Sequence, residues 1–269
     1  MKIFDLNVNN FGGIHDKKPQ INDFSSPWEY KAERDTFQKD PRRVVAMEAI
    51  ACAIEKEKPD VVILQEFDVN GPTGKKLVQR LYESSYCPIY PHKEEEDAFE
   101  KTPSITIMFV KNFAVGRYFS PGSERKAWKW CGIGIDDLLI SGVHFPAGKE
   151  YLYDVERYAK KHKNEKLIII GDFNIATNEW RARQVKDHEF HERRQWLLET
   201  MPGLGYFDAV DGEEPTYFWT EKGEVKGTTI DHVLISPALQ EKATVTARVI
   251  SRAELELSDH AVIIVNIEE

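Results

Sequence analysis

The chain has 269 residues, 41% hydrophobic and 30% charged, which is enough apolar material for a large core. Its 36 basic and 45 acidic residues leave a formal charge of −9, which argues against a protein that grips long duplex DNA on a broad basic surface. A nuclease is not excluded, because a catalytic cleft needs only a local positive field and bound divalent cations add charge that the count omits. No apolar stretch approaches the roughly 18 residues of a membrane span. The start Met1-Lys2-Ile3-Phe4-Asp5 places an acid where a signal peptide needs an unbroken apolar core, so a cytoplasmic protein is expected. Cys52, Cys87 and Cys131 are widely spaced with no C-x-x-C pair, and are expected as buried free thiols rather than a disulfide framework or a zinc site.

Lys2 to Asn9 reads as a first strand. Phe11 to Asp40 is irregular, rich in Asp, Lys, Pro, Gly and Ser, with aromatics at Phe24, Trp28, Tyr30 and Phe37. Long loops of this kind are often functional, and it reads either as a substrate-facing loop or as a surface insertion. Arg42 to Lys58 is predicted helical: Val44, Val45, Ala49, Ala53 and Ile54 fall near helical spacing, Pro41 suits the first turn and Pro59 marks the stop. Asp60 to Glu66 follows as a buried strand. Ser104 to Val110, Ala114 to Phe119, Ala127 to Ile133 and Leu138 to His144 are strand candidates joined by short turns, which requires antiparallel pairing.

A helix near Lys149 to His162, a strand from Lys166 to Asp172 and a helix around His191 to Thr200 come next. Strands near Thr216 to Trp219, Thr229 to Ile235, Thr244 to Ile250 and Ala261 to Ile267 complete the chain. This alternation is the α/β signature, and about a dozen strands with helices fit two packed mixed sheets covered outside by helices. With no linker-like shift, repeat or low-complexity tract, one domain over residues 1–269 is expected, carrying the irregular insertion at about 11–40.

Polar, metal-competent residues sit repeatedly at the C-terminal ends of apolar strands. A carboxylate inside a core is costly without a partner, but such groups gathered at one edge can bind a hard cation. Magnesium and calcium take carboxylate, amide and water oxygens, so Glu66, Asp259 and the amide of Asn7 are chemically suitable. In Gly171-Asp172-Phe173-Asn174, Asp and Asn are two residues apart and would share a side if strand geometry continued. A β-turn favours the same residues. Asp231-His232 and Ser258-Asp259-His260 each place an acid beside an imidazole at a strand edge, and an Asp within reach of a His can fix its tautomer and stabilise the imidazolium.

Taken together, Asn7-Val8-Asn9, Leu64-Gln65-Glu66, Val143-His144-Phe145, Gly171-Asp172-Phe173-Asn174, Ile230-Asp231-His232 and Ser258-Asp259-His260 resemble the endonuclease/exonuclease/phosphatase superfamily, in that family's order. The resemblance implies a four-layered α/β sandwich of the deoxyribonuclease I type, with two mixed sheets flanked by helices. It also implies Mg²⁺-dependent hydrolysis of a phosphoester, with Mn²⁺ or Ca²⁺ as possible substitutes. Glu66 would be the principal metal ligand, helped by Asp259 and Asn7. Asp172 would deprotonate the attacking water, Asn174 would hold a phosphate oxygen, and Asp231 with His260 would stabilise the transition state. His144 would be a second phosphate contact, and Asn9 is placed among the substrate contacts.

Several segments lean toward the exonuclease III branch and a nucleic-acid substrate. Ile175-Ala176-Thr177-Asn178, Arg193-Arg194-Gln195-Trp196-Leu197 and Gly205-Tyr206-Phe207-Asp208 resemble segments of that branch. Trp219, in Tyr217-Phe218-Trp219, would stack on a base, and Arg181 and Arg183 open a basic segment suited to a phosphate backbone. His144 stands where that branch usually has Tyr. That departure, the 11–40 insertion and the acidic balance keep a small-molecule or lipid-headgroup phosphoesterase as the second reading, with a non-catalytic binding module third. No obligate protein partner is inferred.

Overall fold

The computed structural model describes residues 1–12, 25–26, 29, 32–33, 36–37, 40–91, 104–111, 117–119, 128–146, 150–177, 187–210, 212, 214–251, 254–255 and 257–269. In chain order the principal elements are β1 (Lys2–Asn7), α1 (Pro41–Glu57), β2 (Val61–Phe67), α2 (Pro72–Glu83), β3 (Tyr86–Ile89), β4 (Ile105–Lys111), β5 (Arg117–Phe119), β6 (Trp130–Ile135) and β7 (Leu138–His144). They continue through α3 (Glu150–His162), β8 (Lys166–Asp172), α4 (His188–Gln195), β9 (Phe207–Asp208), β10 (Tyr217–Glu221), β11 (Glu224–Thr228), β12 (Asp231–Ile235), α5 (Pro237–Lys242), β13 (Thr244–Ile250) and β14 (Val262–Glu268).

Two six-stranded sheets form, in the orders β13-β14-β1-β2-β4-β3 and β5-β6-β7-β8-β12-β9, with β10 and β11 as a separate hairpin. Each sheet has one parallel pair, β1 with β2 and β7 with β8, and every other pairing within them is antiparallel. Parallel neighbours need a crossover: α1 lies between β1 and β2, and α3 between β7 and β8. Of the four strand candidates between Ser104 and His144, β4, β5 and β6 pair only antiparallel, whereas β7 is antiparallel to β6 and parallel to β8, and the four do not form one meander. The first, β4, pairs with β2 and β3, whereas β5, β6 and β7 belong to the second sheet.

Alternation along the strands divides the core into three layers. Ile3, Val61, Ile63 and Val265 of the first sheet meet Ile140, Ile168, Ile170 and Val233 of the second. On the outer face of the first sheet, Phe4, Leu6 and Val62 pack under Met47 and Ile50 of α1 and Leu77 and Leu81 of α2. On the outer face of the second, Val143, Leu167 and Ile169 pack under Leu152 and Val155 of α3 and under Trp196. The result is helix, sheet, sheet, helix, the expected deoxyribonuclease I-like sandwich. Gly142 permits the close approach of the sheets, because a Cβ there would lie 2.6 Å from Ile63 Cγ2.

Several elements were not expected, namely α2, β3, β9, β11 and α5. α2 begins with Pro72 at its first turn and buries Thr73, Leu77 and Leu81 on one side, a spacing of four that was readable. The predicted helix at His191 to Thr200 starts three residues earlier and passes at Trp196 into a π turn over Trp196–Thr200. Of the cysteines only Cys131 is buried; Cys52 and Cys87 lie exposed, on α1 and the short edge strand β3, correcting the expectation of three buried thiols. Among the described residues no helix is long and apolar enough to cross a membrane.

Candidate active site

The two parallel pairs end at the same edge of the sandwich, and the polar residues that stop their apolar runs meet there. β1 ends at Asn7 and β7 and β8 end in register at His144 and Asp172. Glu66 needs a further device. Alternation sends Val61 and Ile63 to the inter-sheet face, which would turn Glu66 the other way. The pairing of β2 with β4 shifts register between Leu64 and Phe67, and Glu66 takes a left-handed φ of 50°. Its Oε1 thereby comes within 3.7 Å of His144 Nε2 on the opposite sheet.

Asp172 is almost wholly buried and is the hub. Its Oδ2 accepts from Asn7 Nδ2 at 3.0 Å and Asn174 Nδ2 at 3.2 Å, and its Oδ1 accepts from the Asn174 backbone N–H at 2.8 Å. Strand geometry does not continue to Asn174, as the period-two argument assumed. The strand stops at Asp172 and Asn174 has φ 52°, so the two side chains converge through a left-handed turn. Asn174 Nδ2 also donates to Phe145 O at 3.0 Å. Gly171 is required just before: its φ is 138°, and a Cβ there would lie 2.1 Å from Val143 O.

His260 completes the cluster. Its Nδ1 lies 2.9 Å from Asp231 Oδ2 and 3.1 Å from Oδ1, and its Nε2 lies 3.9 Å from Asp172 Oδ2. Burial alone would lower the imidazole pKa, but Asp231, Asp172 and Asp259 outweigh it and push it up to about 10. His260 is therefore an imidazolium, with Asp231 as its carboxylate partner even though burial raises that acid too. Thr216 Oγ1 fixes the start of β12 by accepting from the Ile230 and Asp231 N–H groups at 3.0 Å each.

The donor set fits a hard divalent cation. Burial and the nearby Glu66 carboxylate raise the Asp259 pKa, despite opposing help from His260 and Ser258. A cation between Glu66 and Asp259 would relieve that repulsion. By distance alone Asp172, Asp231 and His260 also form a candidate metal cluster, with ligand atoms within 4.8 Å of one another. Glu66 and Asp259 offer only oxygen ligands, which suits a hard cation and favours the Glu66 side of the cleft.

The remaining expected residues are distributed as follows. Asn9 is half-buried in a 3₁₀ turn, and its N–H donates to Asn7 Oδ1 at 3.0 Å. Trp219 is half-buried on β10, its ring stacked 5.9 Å from that of Tyr217, which in turn lies 5.0 Å from the His260 ring. Arg181 and Arg183 lie outside the described residues, as do Phe24, Trp28 and Tyr30. His232 does not join the site. It points to the opposite face of β12 from Asp231, with Nδ1 2.7 Å from Asp208 Oδ2 and Nε2 2.9 Å from Ile175 O.

Three contributors were not singled out from sequence. Asp5 shares the inter-sheet face of β1 with Asn7, one layer below the site, and accepts from Gln65 Nε2 at 2.6 Å. Lys129 Nζ lies 3.0 Å from His144 Nδ1. Asn10 Nδ2 donates to Glu66 Oε2 at 3.2 Å. Only Asp5 carried a readable signal, as an acid two residues before Asn7 within an apolar strand.

A two-sheet sandwich whose carboxylates and imidazoles converge at one edge is the architecture of phosphoester hydrolases of the deoxyribonuclease I type. The chain matches the Endonuclease/Exonuclease/phosphatase family over residues 6–260, and it belongs to that family. Members are hydrolases acting on phosphoester bonds and are generally dependent on divalent metal. No curated protein matches the chain. Among solved structures, an AP endonuclease from Archaeoglobus fulgidus is 15% identical with a TM-score of 0.67, all of each chain being covered. The 3′ phosphatase NExo from Neisseria, bound to a product DNA hairpin, is 18% identical at TM-score 0.68, again over both whole chains. TDP2 from C. elegans is 13% identical at TM-score 0.58, covering 100% of this chain and 75% of that one.

Proposed function

We propose that the protein is a Mg²⁺-dependent nuclease or phosphodiesterase acting on nucleic acid, with one domain spanning the chain. The observation that carries the reading is the convergence of Glu66, His144, Asp172 and His260 from both sheets onto one edge. Asp172, oriented by Asn7 and Asn174, takes the proton of the attacking water as the new P–O bond forms, while the bond from phosphorus to the ester oxygen breaks and that oxygen leaves with its electron pair to be protonated as the alcohol. Asn174 and His144 hold non-bridging phosphate oxygens. The His260 imidazolium, fixed by Asp231, stabilises charge that grows on the phosphate in the transition state. Glu66, Asp259 and Asn7 would hold Mg²⁺, which would supply charge neutralisation for the phosphate and the leaving oxygen.

Nucleic acid is favoured by the aromatic ladder beside the site, in which Trp219 stacks on Tyr217 and Tyr217 packs on His260. Asn9, Arg181 and Arg183 are assigned to the path of the chain being cleaved. The DNA hairpin bound to the structurally similar NExo agrees with this substrate class. A cytoplasmic setting accords with three free thiols. The experiment is a panel of single- and double-stranded DNA, abasic DNA, RNA, inositol phosphates, sphingomyelin and a generic phosphodiester, run with Mg²⁺ and with chelator. Turnover that persists in chelator, or in Asp172→Asn, overturns the mechanism.

His144 and the charge of −9 favour one other reading, a phosphoesterase for small molecules or lipid headgroups. Turnover of those substrates with all nucleic acids left intact would establish it instead.

A further inference from the structure

We propose that Arg43 is a positioning residue for the metal centre, holding the left-handed turn at Asn9 to Phe11 that fixes the two ligands Asn7 and Glu66. The inference rests on the reading of those residues as metal ligands. Its starting point is a guanidinium buried to 1% exposure beneath a catalytic edge. Burial lowers the Arg43 pKa and Asp68 opposes that shift, yet Asp68 Oδ2 is a distant partner at 3.5 Å. Burying such a group is costly, and an ion pair this loose does not account for its retention.

The close partner is a backbone carbonyl. Arg43 Nε donates to Asn10 O at 2.8 Å and Nη2 donates to the same oxygen, while Nη1 reaches Phe37 O at 3.4 Å. The fork thus grips the middle of a turn in which three successive non-glycine residues are left-handed: Asn9 at φ 43°, Asn10 at 50° and Phe11 at 63°. Such a run persists only where the surroundings impose it. The guanidinium carbon lies 4.5 Å from the Phe37 ring centre and 6.0 Å from that of Phe11, so aromatic rings further confine it.

What the turn delivers is two hydrogen bonds to the metal side of the site. The Asn9 N–H holds Asn7 Oδ1 at 3.0 Å, and Asn10 Nδ2 holds Glu66 Oε2 at 3.2 Å, leaving Oε1 as the atom that faces His144. Arg43 touches none of the reacting atoms; it acts through the turn. Phe37 belongs to the irregular insertion, so this contact also gives that insertion a connection to the centre.

The test is Mn²⁺ binding to the full-length protein without substrate, followed by electron paramagnetic resonance, with melting temperature measured separately. Arg43→Lys keeps the charge and loses the fork, and Asn10→Ala removes the side-chain contact with Glu66 and leaves alanine in a left-handed conformation, a cost read in the melting temperature. Each is expected to raise the Mn²⁺ dissociation constant about tenfold in the folded protein, the scale of losing a group that orients a metal ligand. A purely structural role would lower the melting temperature and leave the dissociation constant unchanged, and that result overturns the proposal. If Arg43→Lys does not fold, Asn10→Ala alone decides by the same criterion. Glu66→Gln separates the two levels. If it leaves Mn²⁺ binding intact, the metal assignment fails and takes the proposal with it; if it weakens binding while Asn10→Ala and Arg43→Lys do not, only the role of Arg43 is overturned.

Discussion

Asn7 and Asp172 stand 165 positions apart, on different sheets, and are joined by a hydrogen bond of 3.0 Å. That bond and the two from Asn174 aim the Asp172 carboxylate from the second sheet toward the centre of the cleft. Asp172→Asn keeps the shape and abolishes the base. Turnover of a generic phosphodiester is expected to fall about 10³-fold. Thermal unfolding is expected to stay near that of the parent, because one negative charge leaves an acidic cluster. Rate and melting curve measured on one preparation check both halves.

Binding of a cation between Glu66 and Asp259, as proposed, would link metal to stability. At a Mg²⁺ concentration of about 100 times the dissociation constant the folded state gains roughly 2.7 kcal/mol. Calorimetry with and without chelator should show that rise in the parent protein and none in Glu66→Gln. A melting temperature indifferent to Mg²⁺ would count against a metal at this position.

His232 gives a pH dependence whose sign follows from its partners. Burial alone would lower its pKa, but Asp208 and the Ile175 carbonyl outweigh burial and raise it above the ordinary imidazole value. Its stabilising contribution is therefore complete below the unfolded pKa and is lost as pH rises through the raised native one. His232→Gln leaves Asp208 without its buried cationic partner and is expected to cost about 3 kcal/mol in mildly acidic solution. Urea unfolding at a series of pH values should show the gap between parent and variant narrowing as solution becomes alkaline.

Trp219→Ala tests the aromatic ladder. Loss of one base-stacking platform is worth about 1–3 kcal/mol, so KM for single-stranded DNA should rise while turnover of a small phosphodiester stays unchanged. An equal effect on both substrates would place Trp219 in the support of His260 through Tyr217.

The layered architecture was legible because apolar strands and helical spacing alternate so regularly, and the site residues were legible because each ends or opens an apolar run. Glu66, His144, Asp172 and His260 share that placement, and the structure brings them together. The less visible features depend on backbone conformation or on distant pairing. Nothing local shows that Asn174 and Glu66 are left-handed, since neither is glycine. His232 looked equivalent to His260 because both follow an aspartate, but alternation along β12 sends it to the helix-covered face, where Asp208 awaits it. Arg43 sits in a helix whose other charged residues are exposed or half-buried, and only the tertiary fold reveals that it turns fully inward. The affiliation of β4 was hidden for a similar reason, since strand identity is local and sheet membership is not.

The two parallel pairs have a consequence for how the protein matures. Asn7 and Glu66 lie on one unit, β1-α1-β2, and His144 and Asp172 on the other, β7-α3-β8. Neither unit holds all the residues of the proposed centre. The proposed centre would therefore be complete only once both units and the segments carrying Asp231, Asp259 and His260 have come together, through contacts far apart in the chain. Metal capture in a refolding protein would time that docking event, separately from the appearance of secondary structure.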